Sequence, residues 1–186
     1  MKTAAAVAAL VFATAAAAEQ KKPGPPTSAV QVADRQLSVI EGELVPLAEA
    51  IPDDKLGFKP AGAAFKDSRT MKQQIGHAAG ALHLFAAALL GEPMKQPGDD
   101  EANGPASLQT KAELVAYLKA SFAHAHKAIL SITNENMLEQ VTIGPNFKPT
   151  RLGIASLMTW HSFDHYGQLV VYARLNDIVP PASRGN

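Results

Sequence analysis

His161 and His165 stand four residues apart in the stretch WHSFDHYGQLVVYARL, residues 160–175. On a helix, residues i and i+4 lie one turn apart on the same face, so both imidazoles can converge on one point. Two neutral ring nitrogens supply half of a tetrahedral metal site, and a third ligand must come from another helix. The remaining histidines are His77, His83, His124 and His126. His77 adjoins Ala78 on an inward stripe and is flanked by Gly76 and Ala79, small neighbours that would let a second helix approach and share a ligand. His83 adjoins Leu82 on the same stripe, and periodicity does not exclude it. His124 and His126 flank a helix near Lys127, where at least one is expected to face water. For any of these, the plain alternative is a hydrogen-bonded core histidine.

Several other chemistries fail on particular residues. HSFDH has the H-x-x-x-H skeleton of zinc proteases, but Ser162 stands where their general-base Glu belongs. Di-metal carboxylate bundles need E-x-x-H pairs, and no histidine here has Glu three positions before it. There is no G-x-S-x-G elbow and no phosphate loop. The absence of cysteine excludes disulfides, thiolate ligands, a cysteine nucleophile and C-x-x-C-H haem attachment. Basic and acidic side chains both number 17, so no charge excess points to nucleic acid. Asp164 falls about 100° around the helix from His165 and can point away from the ligands, so no general base is assigned. Asp164 and Gln168 are candidates for orienting the imidazoles from behind; a solvated Asp and a capping-type Gln are the alternative.

The elements that must position these histidines are helices. The chain of 186 residues is expected to form one domain after a leader. Residues 1–18 have one Lys, an apolar run and Ala16-Ala17-Ala18, the pattern of a signal peptide cleaved near Ala18; an uncleaved anchor is the alternative. No cysteine follows the site, so it is not a lipoprotein leader. Export to a bacterial periplasm or beyond is expected, with no membrane attachment after cleavage. Residues 19–27 read as a Pro/Gly/Lys linker.

Val30, Ala33, Leu37, Ile40, Leu44, Leu47 and Ile51 then recur at steps of three and four, one stripe of a first helix capped by Thr27 or Ser28. Pro46 is expected to kink it or end its regular part. Residues 52–67 read as a loop. Ser68 is the expected cap of a second helix with the stripe Met71, Ile75, Ala78, Leu82, Phe85 and Leu89, closed by Gly91. The polar connection 91–107 is long enough to suggest a crossover. Thr110-x-x-Glu113 is a capping box opening a third helix, with Leu114, Leu118 and Phe122 on its apolar face. After a second long loop, in which EQVTI is the one short strand candidate, a fourth helix covers about 152–176. The expected fold class is all-α, a four-helix bundle with long connecting loops.

At this point the chain resembles the DinB/YfiT-like family of metal-binding four-helix bundles. The resemblance covers about residues 28–182 and leaves 183–186 as a tail. It rests on AEAIPDDKLGFKP, on QIGHAAGALHLFAAALLGEP and, most specifically, on HSFDHYGQLVVYARLNDIVPPAS. It implies that His77, His161 and His165 bind a divalent metal, zinc or nickel, and it is compatible with a homodimer. Some members transfer or isomerise with small thiols in the cytosol; a leader sets this chain apart from them. Three neutral ligands would leave an open position for water or a small-molecule substrate. The expectation is therefore a metal-dependent hydrolase or thiol S-transferase, the alternative being a non-catalytic periplasmic metal-binding or structural module.

Overall fold

The structure is a computed structural model that describes residues 24–94 and 103–185. The leader, the start of the linker, part of the polar connection after the second helix and Asn186 lie outside the described residues. Four helices make the fold: α1 (Ala29–Ala50), α2 (Met71–Leu90), α3 (Lys111–Leu130) and α4 (Arg151–Arg174). Among the described residues β-pairing is limited to two isolated bridges, Gln140 with Thr150 and Gly144 with Phe147. EQVTI therefore contributes a single bridge residue and no strand.

In α1 the whole predicted stripe is buried, and Ser28 supplies the cap by accepting from Gln31 N. Pro46 does not end the helix, which continues to Ala50. The carbonyl that Pro46 cannot bond belongs to Gly42, an exposed residue where water can replace the missing donor. The second helix starts later than expected. Thr70, not Ser68, is its cap, in a reciprocal box with Gln73, while the Ser68 hydroxyl donates to Phe65 O. Gly91 closes α2 in the left-handed region at φ 68°. The Thr110–Glu113 box opens α3 as expected.

Helices α1 and α2 each pack against both α3 and α4, so the order around the bundle is α1–α3–α2–α4. This corrects the crossover expectation for residues 91–107. α2 and α3 are the most extensively packed neighbours, while the connections α1–α2 and α3–α4 span diagonals. Part of the length between α2 and α3 is used to lay Asn103 and Gly104 back along α2. There a Cβ on Gly76 would lie 2.1 Å from Asn103 O, and one on Gly104 would lie 2.9 Å from Gly76 Cα. Gly104 also has φ +90°. The small residue beside His77 thus admits a loop backbone, where an approaching helix was expected.

The connecting segments also hold the starts of α2 and α4. Met71 N and Lys72 N donate to Phe58 O and Leu56 O, each at 2.9 Å, and Gln73 N donates to Thr70 Oγ1. Arg151 N and Leu152 N donate to Glu139 O and Met137 O, each at 3.0 Å, and Gly153 N donates to Thr150 Oγ1. First-turn N–H groups have no partner inside a helix, so these bonds fix where each helix begins. At the other end of α2, Arg151 Nη1 donates to Leu89 O at 2.9 Å, placing a cation at the helix's negative pole. No described helix is long and apolar enough to cross a membrane.

Gly76→Ala places a methyl group against the backbone of residues 103–104. It should destabilise the protein by about 1–3 kcal/mol, the usual cost of overpacking. Urea unfolding measures this, and a loss below about 0.5 kcal/mol would mean that the loop yields freely.

Candidate metal centre

His77 comes from the middle of α2; His161 and His165 come from successive turns of α4. Their ring centroids are separated by 5.2 Å (His77–His161), 4.7 Å (His77–His165) and 4.6 Å (His161–His165). One nitrogen from each ring lies within 4.8 Å of the other two. His165 is buried at 4% exposure, and the other two are half-buried. Phe85 and Trp160 each set an edge-on ring 6.1 Å from His161. Trp160 is 58% exposed, so this aromatic wall reaches the surface.

A chain of hydrogen bonds fixes the tautomer of His165. It starts at Asp164, whose ionised carboxylate can only accept. Gln168 Nε2 donates to Asp164 Oδ2 at 3.3 Å. Gln168 Oε1 is thereby free to accept from Gln74 Nε2, at 2.7 Å. Gln74 Oε1 in turn accepts from His165 Nδ1–H, at 2.6 Å. With its proton on Nδ1, His165 carries the lone pair on Nε2, the nitrogen that a metal would take. That Nε2 is buried without a hydrogen-bond partner, and so is Nε2 of His161. Buried polar atoms are almost always paired. Two neighbouring ligand-type nitrogens left open fit a divalent cation, which prefers this kind of donor set.

The electrostatics favour the same protonation state. Burial lowers the His165 pKa to about 3, helped by His161, His77 and Arg69. Burial also lowers that of His161, with His77 and Arg69 acting in the same direction and Asp164 opposing. Neutral imidazole is the form that binds metal.

The candidates for orienting groups have distinct fates. Gln168 reaches His165 only through Gln74, and Asp164 is an exposed residue that touches neither imidazole by hydrogen bond. Ser162 is fully buried and donates to Met158 O at 2.8 Å, so the position between the two ligands faces the core. Tyr166, also on α4, has its pKa raised by burial and by the Glu43 carboxylate of α1. The other histidines have partners elsewhere. His83 Nδ1 and His124 Nδ1 are 3.0 Å apart, and His124 Nε2 is 2.9 Å from Glu92. His126 sits between Asp34, at 2.6 Å, and Glu41, at 3.1 Å. Both His124 and His126 are half-buried, so neither projects freely into water. Gln74 is the residue that periodicity overlooked. It is a polar side chain one position from Ile75 on the inward stripe, and it is 2% exposed.

Fold and site together define a helical bundle with three histidines gathered from two helices. The family model described as the DinB superfamily matches residues 36–169, and the chain belongs to that superfamily. No curated protein matches it. Among solved structures, it is similar to a conserved protein from Enterococcus faecalis, at 19% identity and a TM-score of 0.63, covering 78% of this chain and 95% of that one. It is also similar to a DinB-like protein from Bacillus subtilis, at 20% identity and a TM-score of 0.59, covering 78% and 92%. At these identities the likeness establishes the fold.

The buried neutral histidines make stability depend on pH. An unfolded histidine takes a proton near 6.5, whereas His165 in the fold resists it to about 3. Between those values the unfolded chain binds more protons. Stability is therefore fully present above about 6.5 and falls as pH drops, by up to about 1.4 kcal/mol per pH unit for this one group. Urea unfolding of chelator-treated protein at about pH 7 and about pH 5 should show the loss, and His165→Asn should make it shallower. An identical pH dependence in the two proteins would contradict a buried neutral His165.

Proposed function

We propose that this chain holds one divalent transition metal, zinc or nickel, through His77, His161 and His165, and acts as a hydrolase or a group transferase, thiol S-transfer included, on a small substrate. The observation that carries this is the pair of buried, unpartnered Nε2 atoms on His161 and His165. A divalent ion held by three neutral imidazoles keeps its charge and supplies Lewis acidity at an open coordination position. The chain's own contribution is orientation: Gln74, Gln168 and Asp164 hold the His165 ring, and the aromatic rings beside His161 limit access of water.

One observation favours a second reading, a non-catalytic metal-binding module. His165 Nδ1 is bonded to the Gln74 amide and not to a carboxylate, and Ser162 is turned into the core. Water exchange at the metal distinguishes the two, since an open position exchanges solvent and a closed one does not. Export supports neither reading over the other. The leader pattern of residues 1–18 supports a periplasmic or secreted protein.

Purified protein should carry about one divalent ion per chain, lost in His77→Ala and His161→Ala. Elemental analysis of protein prepared without chelator checks this, and metal-free wild type would sink the site. Gln74→Ala should fold and still bind, but with metal affinity reduced about 10–100-fold in a chelator competition, the usual effect of removing a hydrogen-bond partner behind a ligand. Protein recovered from the periplasm of an expressing bacterium should have an intact mass beginning at Glu19; the mass of the full chain would contradict cleavage near Ala18.

A further inference from the structure

Trp160, Phe163 and Val171 lie on the outer side of α4, exposed by 58%, 37% and 54%. The opposite side of the same helix carries Ile154, Met158, Leu169 and Tyr172 into the core. A helix on the surface of a bundle normally turns charged and polar residues outward. Here the exposed residues Trp160, Phe163, Gly167, Val171 and Arg174 follow one another at steps of three and four, the spacing of a seam between two helices. Gly167 stands at the centre. A Cβ there would meet nothing within 4 Å, so packing among the described residues does not call for glycine at this point. It is also the weakest helix former after proline. What glycine does allow is the close approach of another backbone.

The stripe complements itself. Two copies of α4 laid antiparallel about a twofold axis at Gly167 set each residue opposite the one equally far along on the other side of Gly167. Phe163 then meets the partner's Val171, and Trp160 meets the partner's Arg174. Arg174 is exposed, and its Nη2 donates to the Ser183 hydroxyl at 3.1 Å. A bond in the guanidinium plane leaves the faces of the plane to stack on an indole. Asp164, exposed and one turn from Trp160, adds a carboxylate beside that cation. By symmetry each contact occurs twice. A parallel pair would instead set like charges against each other at Arg174. A lipid surface fits less well. Helices that lie on membranes carry several Lys or Arg beside the apolar stripe, whereas α4 has no lysine and holds its two arginines, Arg151 and Arg174, at its ends.

We propose that the outer face of α4, from Trp160 to Arg174, is the interface of a twofold-symmetric homodimer in which two α4 helices pack antiparallel across Gly167. The pairing covers the Trp160 ring, the exposed end of the aromatic wall beside His161, so each copy closes the wall of the other. The interface itself needs no metal.

Trp160 is the single tryptophan of the chain, so its fluorescence reports the seam. Sedimentation of the purified protein should show a dimer at micromolar concentration, and dilution should move Trp160 emission to longer wavelength with the same midpoint. This arm uses wild type and does not depend on a variant folding. Phe163→Glu and Val171→Lys, both at exposed positions, should each weaken self-association roughly 30-fold or more, with helical circular dichroism unchanged. Arg174→Gln should weaken it by about threefold to tenfold. A mixture of Phe163→Glu and Val171→Lys should associate more tightly than either variant alone, because antiparallel pairing sets the introduced carboxylate against the introduced ammonium. A monomer up to about 100 µM, unchanged self-association in Phe163→Glu, or no gain in the mixture would each overturn the proposal. So would Trp160 emission that ignores dilution and shifts on adding phosphatidylglycerol vesicles, which would assign the face to lipid.

Discussion

The hydrogen bond from His165 Nδ1 to Gln74 Oε1 is the contact on which the site depends. It is buried and short, 2.6 Å, and it joins α2 to α4 at the level of the cluster. Its direction is imposed from the surface. A carboxylate accepts only, so Asp164 orients Gln168, Gln168 orients Gln74, and Gln74 decides which nitrogen of His165 is left bare. An exposed acid thus determines the tautomer of a buried base without touching it. The same contact sets the spacing of the two helices, because amide and imidazole bond well only over a narrow range of separations.

The six histidines divide by what their nitrogens meet. His83 and His124 meet each other and Glu92, and His126 meets Asp34 and Glu41. These are ties between helices, with His126 fastening α3 to α1 and the others fastening α3 to α2 and its C-terminal end. The cluster differs because its inner nitrogens on His161 and His165 meet nothing in the chain. Burial alone does not separate the groups, since His77, His83, His124, His126 and His161 are all half-buried. Partners do.

Much of this was legible in the sequence. The spacing from Val30 to Ile51 fixes a face, and that face is buried throughout. Thr110 and Glu113 mark a helix start because the box is a local interaction between residues three apart. His161 and His165 share a face for the same local reason. What lay beyond reach was non-local. Residues 91–107 looked long enough to cross the bundle, but chain length cannot reveal that part of it lies back over Gly76. The start of α2 moved from Ser68 to Thr70 because Phe58 and Leu56 supply its first carbonyl partners from across a loop. Gln74 read as an ordinary helix residue, since its two partners sit on another helix. Asp164 and Gln168 were noticed as neighbours of the ligands, but the detour through Gln74 could not be read from spacing on α4.

The placement of the three histidines has a mechanical side. The cluster draws one ligand from the second helix and two from the fourth, with the whole of α3 between them in the chain. An ion shared among them would close a long loop, and closing a long loop restricts the unfolded chain much as a disulfide does. This chain has no cysteine and cannot cross-link itself through sulfur. Three imidazoles offer it a cross-link that no reductant opens, and that acid or a competing chelator does.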